Sequence, residues 1–161
     1  MIHGRMVVIG GPGAIAKKLP DVVKEGMQNA ILWWWKNRLP LHFKHGAAER
    51  YGYAKRTPAY EFRKQKRKHH QQPLVYSGAM RDELLRRIDV TGTSRAATGR
   101  MNAPRHTFII TRPTKSAGAA INKVDEILAT TDREERAMAL VVDETIDRIL
   151  NDDQTVDVME F

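Results

Sequence analysis

Three places in this 161-residue chain hold residue types that invite chemistry. The first is a set of histidines, His42 with His45 and His69 with His70. A zinc site needs three or four converging ligands. These rings sit among lysines and arginines whose charge opposes a cation, so they are expected to be solvated loop histidines with no metal. The second is Gly11-x-Gly13-x-x-Ala16 after Met6-Val7-Val8-Ile9, the beginning of a dinucleotide fingerprint. That chemistry needs a βαβ unit and an acid about 20 residues on, after a second strand. The segment that follows reads as helical and tryptophan-rich, so a flexible turn is the expectation. The third is Ser77-Gly78, which lacks the preceding Gly-x of a nucleophile elbow and reads as a helix N-cap. There is no Gly-Lys-Ser/Thr phosphate loop, no defensible acid pair and no Ser/His/Asp grouping. With no cysteines, disulfides, thiolate zinc and thiol catalysis are excluded. The expectation is a protein that is not an enzyme, with no catalytic residue, cofactor or metal.

The basic, tyrosine-bearing stretch is harder to dismiss. Residues 36–68 hold eleven Lys/Arg against two acids, whereas residues 132–161 hold three against ten. Lys44, Arg50, Lys55, Arg56, Arg63, Lys64, Lys66, Arg67 and Lys68 are of the type that neutralises phosphates, and Tyr51, Tyr53 and Tyr60 of the type that stacks on bases. No helix-turn-helix, RRM or zinc module accompanies them. Three readings stay open: a solvated face, contact with acidic protein surfaces, and direct contact with nucleic acid. A two-pole chain of this kind attracts polyanions at one end and its own copies at the other.

The elements that must position these groups follow from periodicity. A short strand is expected at 6–9 and a helix from about Pro20 to Arg38, with proline in its first turn and Val23, Met27, Ala30, Ile31 and Trp34 as its buried stripe. Residues 41–72 are mixed, with Tyr60–Lys68 either a short helix or an extended arm. A second helix begins near Ser77, with Met80, Leu84, Leu85 and Ile88 on one face. Val90–Thr93, a turn and return strand in Ser94–Arg100, Thr107–Thr111 and Val124–Ala129 read as strands. Thr131 and Glu134 form a capping box for a last helix with the stripe Met138, Val142, Ile146, Ile149 and Leu150. Val156–Phe161 would add an edge strand. The fold class is therefore α+β: a long N-terminal helix and a C-terminal helix packed on a small antiparallel sheet. One domain spans 1–161, with a basic arm at about 41–72 and an acidic tail at about 151–161. No apolar run approaches the roughly 18–20 residues of a membrane span, and the start is too short an apolar run for a secretory signal. The cytoplasm, or a particle assembled there, is the expected location.

Trp33, Trp34 and Trp35 need their own account. Successive helical side chains stand about 100° apart, so one core stripe cannot take all three. Each ring buries about 150–250 Å², on the order of several kcal/mol at about 25 cal/mol per Å². At least one must meet a second surface. That surface belongs either to another layer of the same domain or to a neighbouring subunit, since tryptophan is enriched at interface hot spots.

The order of these features resembles a known family. A tryptophan-bearing helix, the stretch Tyr51-Gly52-Tyr53-Ala54-Lys55-Arg56, and then Pro73-Leu74-Val75-Tyr76-Ser77-Gly78-Ala79-Met80-Arg81 resemble the tailed-phage virion-morphogenesis and tail-completion proteins. In that group a Leu-Val-x-Ser/Thr-Gly-x-Leu-Arg phrase introduces a helix, then hairpin strands, then a terminal helix with an acid-rich cap, as at Thr131-Asp132-Arg133-Glu134-Glu135. The likeness covers roughly residues 20–150; Met80 replaces the commoner Leu, and Lys115–Lys123 looks like an insertion. It implies a structural subunit of the virion at the head–tail junction (neck, tail completion or terminator ring), assembled in the host cytoplasm. Its implied partners are copies of itself in a ring around the DNA channel, other neck, connector or tail proteins, and packaged DNA, with no membrane. On this reading Trp33, Trp34, Trp35, Tyr51, Tyr53 and Tyr60 lie at subunit interfaces. Lys55, Arg56, Arg63, Lys64, Lys66, Arg67 and Lys68 face DNA or a partner. The alternative is a basic nucleic-acid-binding protein acting alone.

Overall fold

In a computed structural model of the chain, residues 12–70, 72, 74, 75, 78–103, 106–110 and 123–152 are described. Helix α1 covers Pro12–Asn37 and is followed by a 3₁₀ turn at Leu39–Phe43 and by short α2, Ala47–Tyr51. Helices α3 (Pro58–Lys68) and α4 (Ala79–Arg86) come next. Strands β1 (Asp89–Gly92), β2 (Ala97–Ala103) and β3 (His106–Ile110) form an antiparallel meander, with Val90 opposite Gly99 and Met101 opposite Phe108. Helices α5 (Lys123–Leu128) and α6 (Asp132–Asp152) complete the α+β arrangement expected from sequence.

Alternation decides which face of the sheet is covered. Ala97, Gly99 and Met101 of β2 point inward, and Arg100 and Asn102 outward, as the two-residue period requires. Helix α1 lies across the covered face. A Cβ built on Gly99 would stand 2.8 Å from Ile31 Cγ2 and 2.9 Å from Ile88 Cδ1, so the helix approaches because the strand has no side chain there. A second close approach occurs where Gly26 of α1 meets Val142 of α6. Trp34, Leu39, Phe43, Leu84, Met101, Phe108, Ile110 and Ile127 form the main core. Ala47, Tyr51, Tyr53 and Ala129 make a smaller one beside it.

Several local expectations are corrected. Helix α1 begins at Pro12 and not at Pro20, so Gly13 and Ala16 lie in a helix and not in a turn. Pro20 is tolerated inside it. Val124–Ala129 is not a strand: Val124, Ile127 and Leu128 recur at i, i+3, i+4, and Asp125 and Glu126 suit a helix's first turn. The N-cap of α4 is Gly78, at φ 86°; Ser77 lies outside the described residues. So do the strand expected at 6–9 and the edge strand at 156–161. The capping box on α6 is present as expected. Thr131 N donates to Glu134 Oε2 at 3.2 Å, and Glu134 N to Thr131 Oγ1 at 3.3 Å.

The three tryptophans distribute over different surfaces of their own chain. Trp34 is 2 % exposed, in the main core. Trp35 turns toward α4, and its Nε1 donates to the Leu84 carbonyl at 2.8 Å. Trp33, half-buried, lies under the Arg38 guanidinium, 4.8 Å from the ring centroid.

Candidate interaction surface

Helix α3 is made by its ends. Thr57 caps it, accepting from Tyr60 N at 3.3 Å, and Pro58 holds the first turn. Glu61 sits at the positive end of the dipole and Lys66, Arg67 and Lys68 at the negative end. His69, at φ 56°, closes it by donating N–H to the Gln65 carbonyl at 2.9 Å. Its tertiary support is slight. Lys64 is its one buried residue, and that ammonium donates to the Gln72 carbonyl; burial pulls the Lys64 pKa down. An isolated helix shorter than about 12–15 residues is marginal in water, and α3 has 11 residues without extended packing on any other element.

What α3 shows to solvent is unusual for so short a helix. Phe62 is 70 % exposed and Tyr60 36 %. Arg63, Lys66, Arg67 and Lys68 are exposed around them. At 100° per residue Phe62 stands about 200° from Lys64. The residue that ties α3 to the body and the ring that leaves it are therefore on opposite sides.

The root of α3 is fastened more firmly. Arg56 Nη1 donates to Glu126 Oε1 at 2.7 Å and Nη2 to Glu126 Oε2, the bidentate geometry of a strong pair. Glu126 is fully buried, and its backbone carbonyl lies 3.1 Å from His42 Nδ1. A carbonyl only accepts, so Nδ1 carries the ring proton. The same nitrogen is 2.5 Å from Tyr53 Oη, and the imidazole stacks on Tyr51 at 3.7 Å. Burial holds the His42 pKa down to about 3 and raises those of both phenols. Tyr51 Oη donates to Glu134 Oε1 at 2.8 Å, joining α2 to α6. A histidine beside a tyrosine is a general-base arrangement in form, but His42 is fully buried. The cluster is a clasp that fixes where α3 leaves the body.

The opposite pole lies on α6. Leu140, 59 % exposed, shares the outward side with Asp143, Glu144 and Asp147. Between α6 and α1 runs an open groove of about 550 Å³ lined by Asn29, Trp33, Val141, Glu144, Thr145 and Arg148. Asn29 Nδ2 donates to Thr145 Oγ1 at 3.5 Å across it, and Arg148 lies 3.8 Å from Glu25.

These positions revise the expected sites. Trp34, Tyr51 and Tyr53 are interior to the chain and present no ring to a neighbour, because the helix pitch and the His42 stack bury them. Arg56 and Lys64 are committed to Glu126 and Gln72, which removes two of the seven cations expected to face DNA or a partner. Trp33, Trp35 and Tyr60 keep exposed surface, as do Lys55, Arg63, Lys66, Arg67 and Lys68. Of the arm expected at 41–72, the segment 41–53 packs on the body through His42, Phe43, Ala47, Tyr51 and Tyr53, and α3 stands off. His42, expected in solvent, is a core residue because Tyr51 and Tyr53 close over it. Among the described residues no group of three His, Cys, Asp or Glu converges as a metal site, and no helix is long and apolar enough to cross a membrane. Phe62 and the groove lie outside the sites expected from sequence. The signal for Phe62 was one apolar residue inside a run of cations; the groove, formed by residues over 100 positions apart, left none.

Compared with protein families, curated proteins and solved structures, the chain has no match.

Proposed function

We propose that this chain is a structural subunit of a tailed-phage virion at the head–tail junction, a neck, tail-completion or terminator protein. It works by assembling with copies of itself and with adjoining virion proteins around the DNA channel. The observation that carries the reading is α3. It is a short, strongly basic helix that stands off its own body with a phenyl ring in water. A phenyl and a phenol exposed together on a basic helix with little packing of its own suit burial against a protein partner, where aromatic anchors carry binding. The order of elements supports the same reading. The Leu74–Arg81 phrase leads into α4, the hairpin strands follow, and the capping box opens α6.

Particles assembled without the chain test this. The expected result is DNA-filled heads and unattached or unfinished tails, with the labelled chain located at the junction when it is supplied back. Normal tailed particles, or purified particles that do not contain the chain, would defeat the proposal.

The second reading, a basic protein that binds nucleic acid by itself, draws on the exposed cations Lys55, Arg63, Lys66 and Arg67. Its mark is duplex affinity from a monomer that falls steeply with salt, with a slope near −0.9 per phosphate neutralised.

A further inference from the structure

Two open surfaces among the described residues differ in shape and charge, and they lie on different elements. One is convex, with Phe62 on the outer side of α3 and Ala59 and Lys66 flanking it at i−3 and i+4. Helix α3 carries five cations against Glu61. The other is the concave α1–α6 groove, which has Trp33 and Val141 among its walls and Glu144 at its side, with Asp143 and Asp147 beyond. Of the cations here, Arg148 in the lining lies near Glu25 and the Arg38 guanidinium covers one face of Trp33.

We propose that the α1–α6 groove receives α3 of a second copy of this chain, with Phe62 seated against Trp33 and Val141 and Lys66 directed at Glu144. This deepens the ring reading above and rests on it. The charge pattern selects the occupant. A basic helix with a projecting aromatic fits a groove walled by Trp33 and Val141 beside the exposed α6 acids Asp143, Glu144 and Asp147, and each copy carries both halves. A duplex offers phosphates to the cations but keeps its bases stacked away from the phenyl ring. Because the two patches differ, the contact is heterologous: each copy gives its α3 to one neighbour and accepts α3 from the other. Such a contact closes into a ring when the rotation per subunit divides a full turn. Aromatic anchors in pockets carry most of the binding at contacts of this kind, while rim charges set rate and salt dependence.

The absence of cysteine makes the test clean. A tagged Gln65→Cys variant and an untagged Arg148→Cys variant, which keep Phe62, Lys66, Trp33, Val141 and Glu144, each carry a single thiol at an exposed site, and circular dichroism checks that both fold. They are mixed and mildly oxidised. The expected result is a tagged–untagged disulfide dimer that exceeds either same-variant dimer several-fold and is lost when Lys66→Glu is added to the tagged chain. Unlike-variant product no greater than same-variant product at about 1 mM chain, enough to capture a Kd near 1 mM, overturns the proposal. So does loss of salt-sensitive duplex DNA binding in Phe62→Asp with no mixed dimer, which would give α3 to nucleic acid. Chain present at the particle junction with no mixed disulfide removes this contact alone; chain absent from particles removes the ring reading, whatever the cross-link shows.

Discussion

Arg56 and Glu126, 70 positions apart, meet as a bidentate ion pair whose carboxylate is wholly buried and whose guanidinium keeps 21 % of its side chain in water. The pair joins the root of α3 to α5. Breaking a buried pair from one side leaves an uncompensated charge, at a cost of about 3–5 kcal/mol.

Arg56→Met is therefore expected to destabilise the fold by about 3 kcal/mol, the low end because Arg56 reaches solvent. In a chain of this size that lowers Tm by roughly 6–12 °C. Adding Glu126→Leu should recover most of the loss. Chemical denaturation of both variants measures it, and a single variant within about 0.5 kcal/mol of the native chain would show that the pair contributes little.

His42 makes stability depend on pH in a definite direction. In the unfolded chain its imidazole takes a proton near the ordinary value of 6.5, and in the folded chain burial delays this to about 3. The unfolded state thus binds more protons between those values. The residue's contribution is whole above about pH 6.5 and is lost as pH falls, by up to about 1.4 kcal/mol per unit. The ring resonances of His42 should stay constant from pH 7.5 to 4. A midpoint near 6 in the folded protein would contradict the sealed geometry.

Thr131 and Glu134 cap α6, and Glu134 also accepts from Tyr51. Thr131→Ala should cost about 1 kcal/mol. Glu134→Ala should cost more, because it also orphans the Tyr51 hydroxyl, adding about 1–3 kcal/mol. A double-mutant cycle with Tyr51→Phe should recover coupling of at least about 0.5 kcal/mol; strict additivity would separate cap from clasp.

Gly99 permits α1 to cross β2. Alanine there would drive Cβ to within 3 Å of both Ile31 and Ile88. The expected loss is about 1–3 kcal/mol, the usual cost of overpacking. Ile88→Val in the same chain, which removes the Cδ1 that this Cβ would meet at 2.9 Å, should restore part of it, as thermal unfolding would show.

Much of this was legible in the residues. The period of Ala30, Ile31 and Trp34 marked the inner side of α1, and alternation with β-branched residues marked β3. The capping box fixed the start of α6 to the residue, because a cap is a local hydrogen-bond pattern. The error at 124–129 arose because a six-residue segment, apolar at 124 and 127–129, is too short for its period to separate helix from strand, and tertiary packing chooses. Pro20 misplaced the start of α1 because a proline that opens a helix and one tolerated within it look the same in sequence.

The sequence alone determined the α+β layout, the two charge poles and the need to spread three adjacent indoles over more than one surface, since these depend on spacing within a few turns of chain. Only the tertiary structure decided which aromatics are spent on the core and which remain outside. His42, Tyr51 and Tyr53 vanish into a clasp with Glu126 and Glu134, residues more than 80 positions away, while Phe62 stays in water. Burial is set by which distant segments close over a side chain, and no local pattern records that.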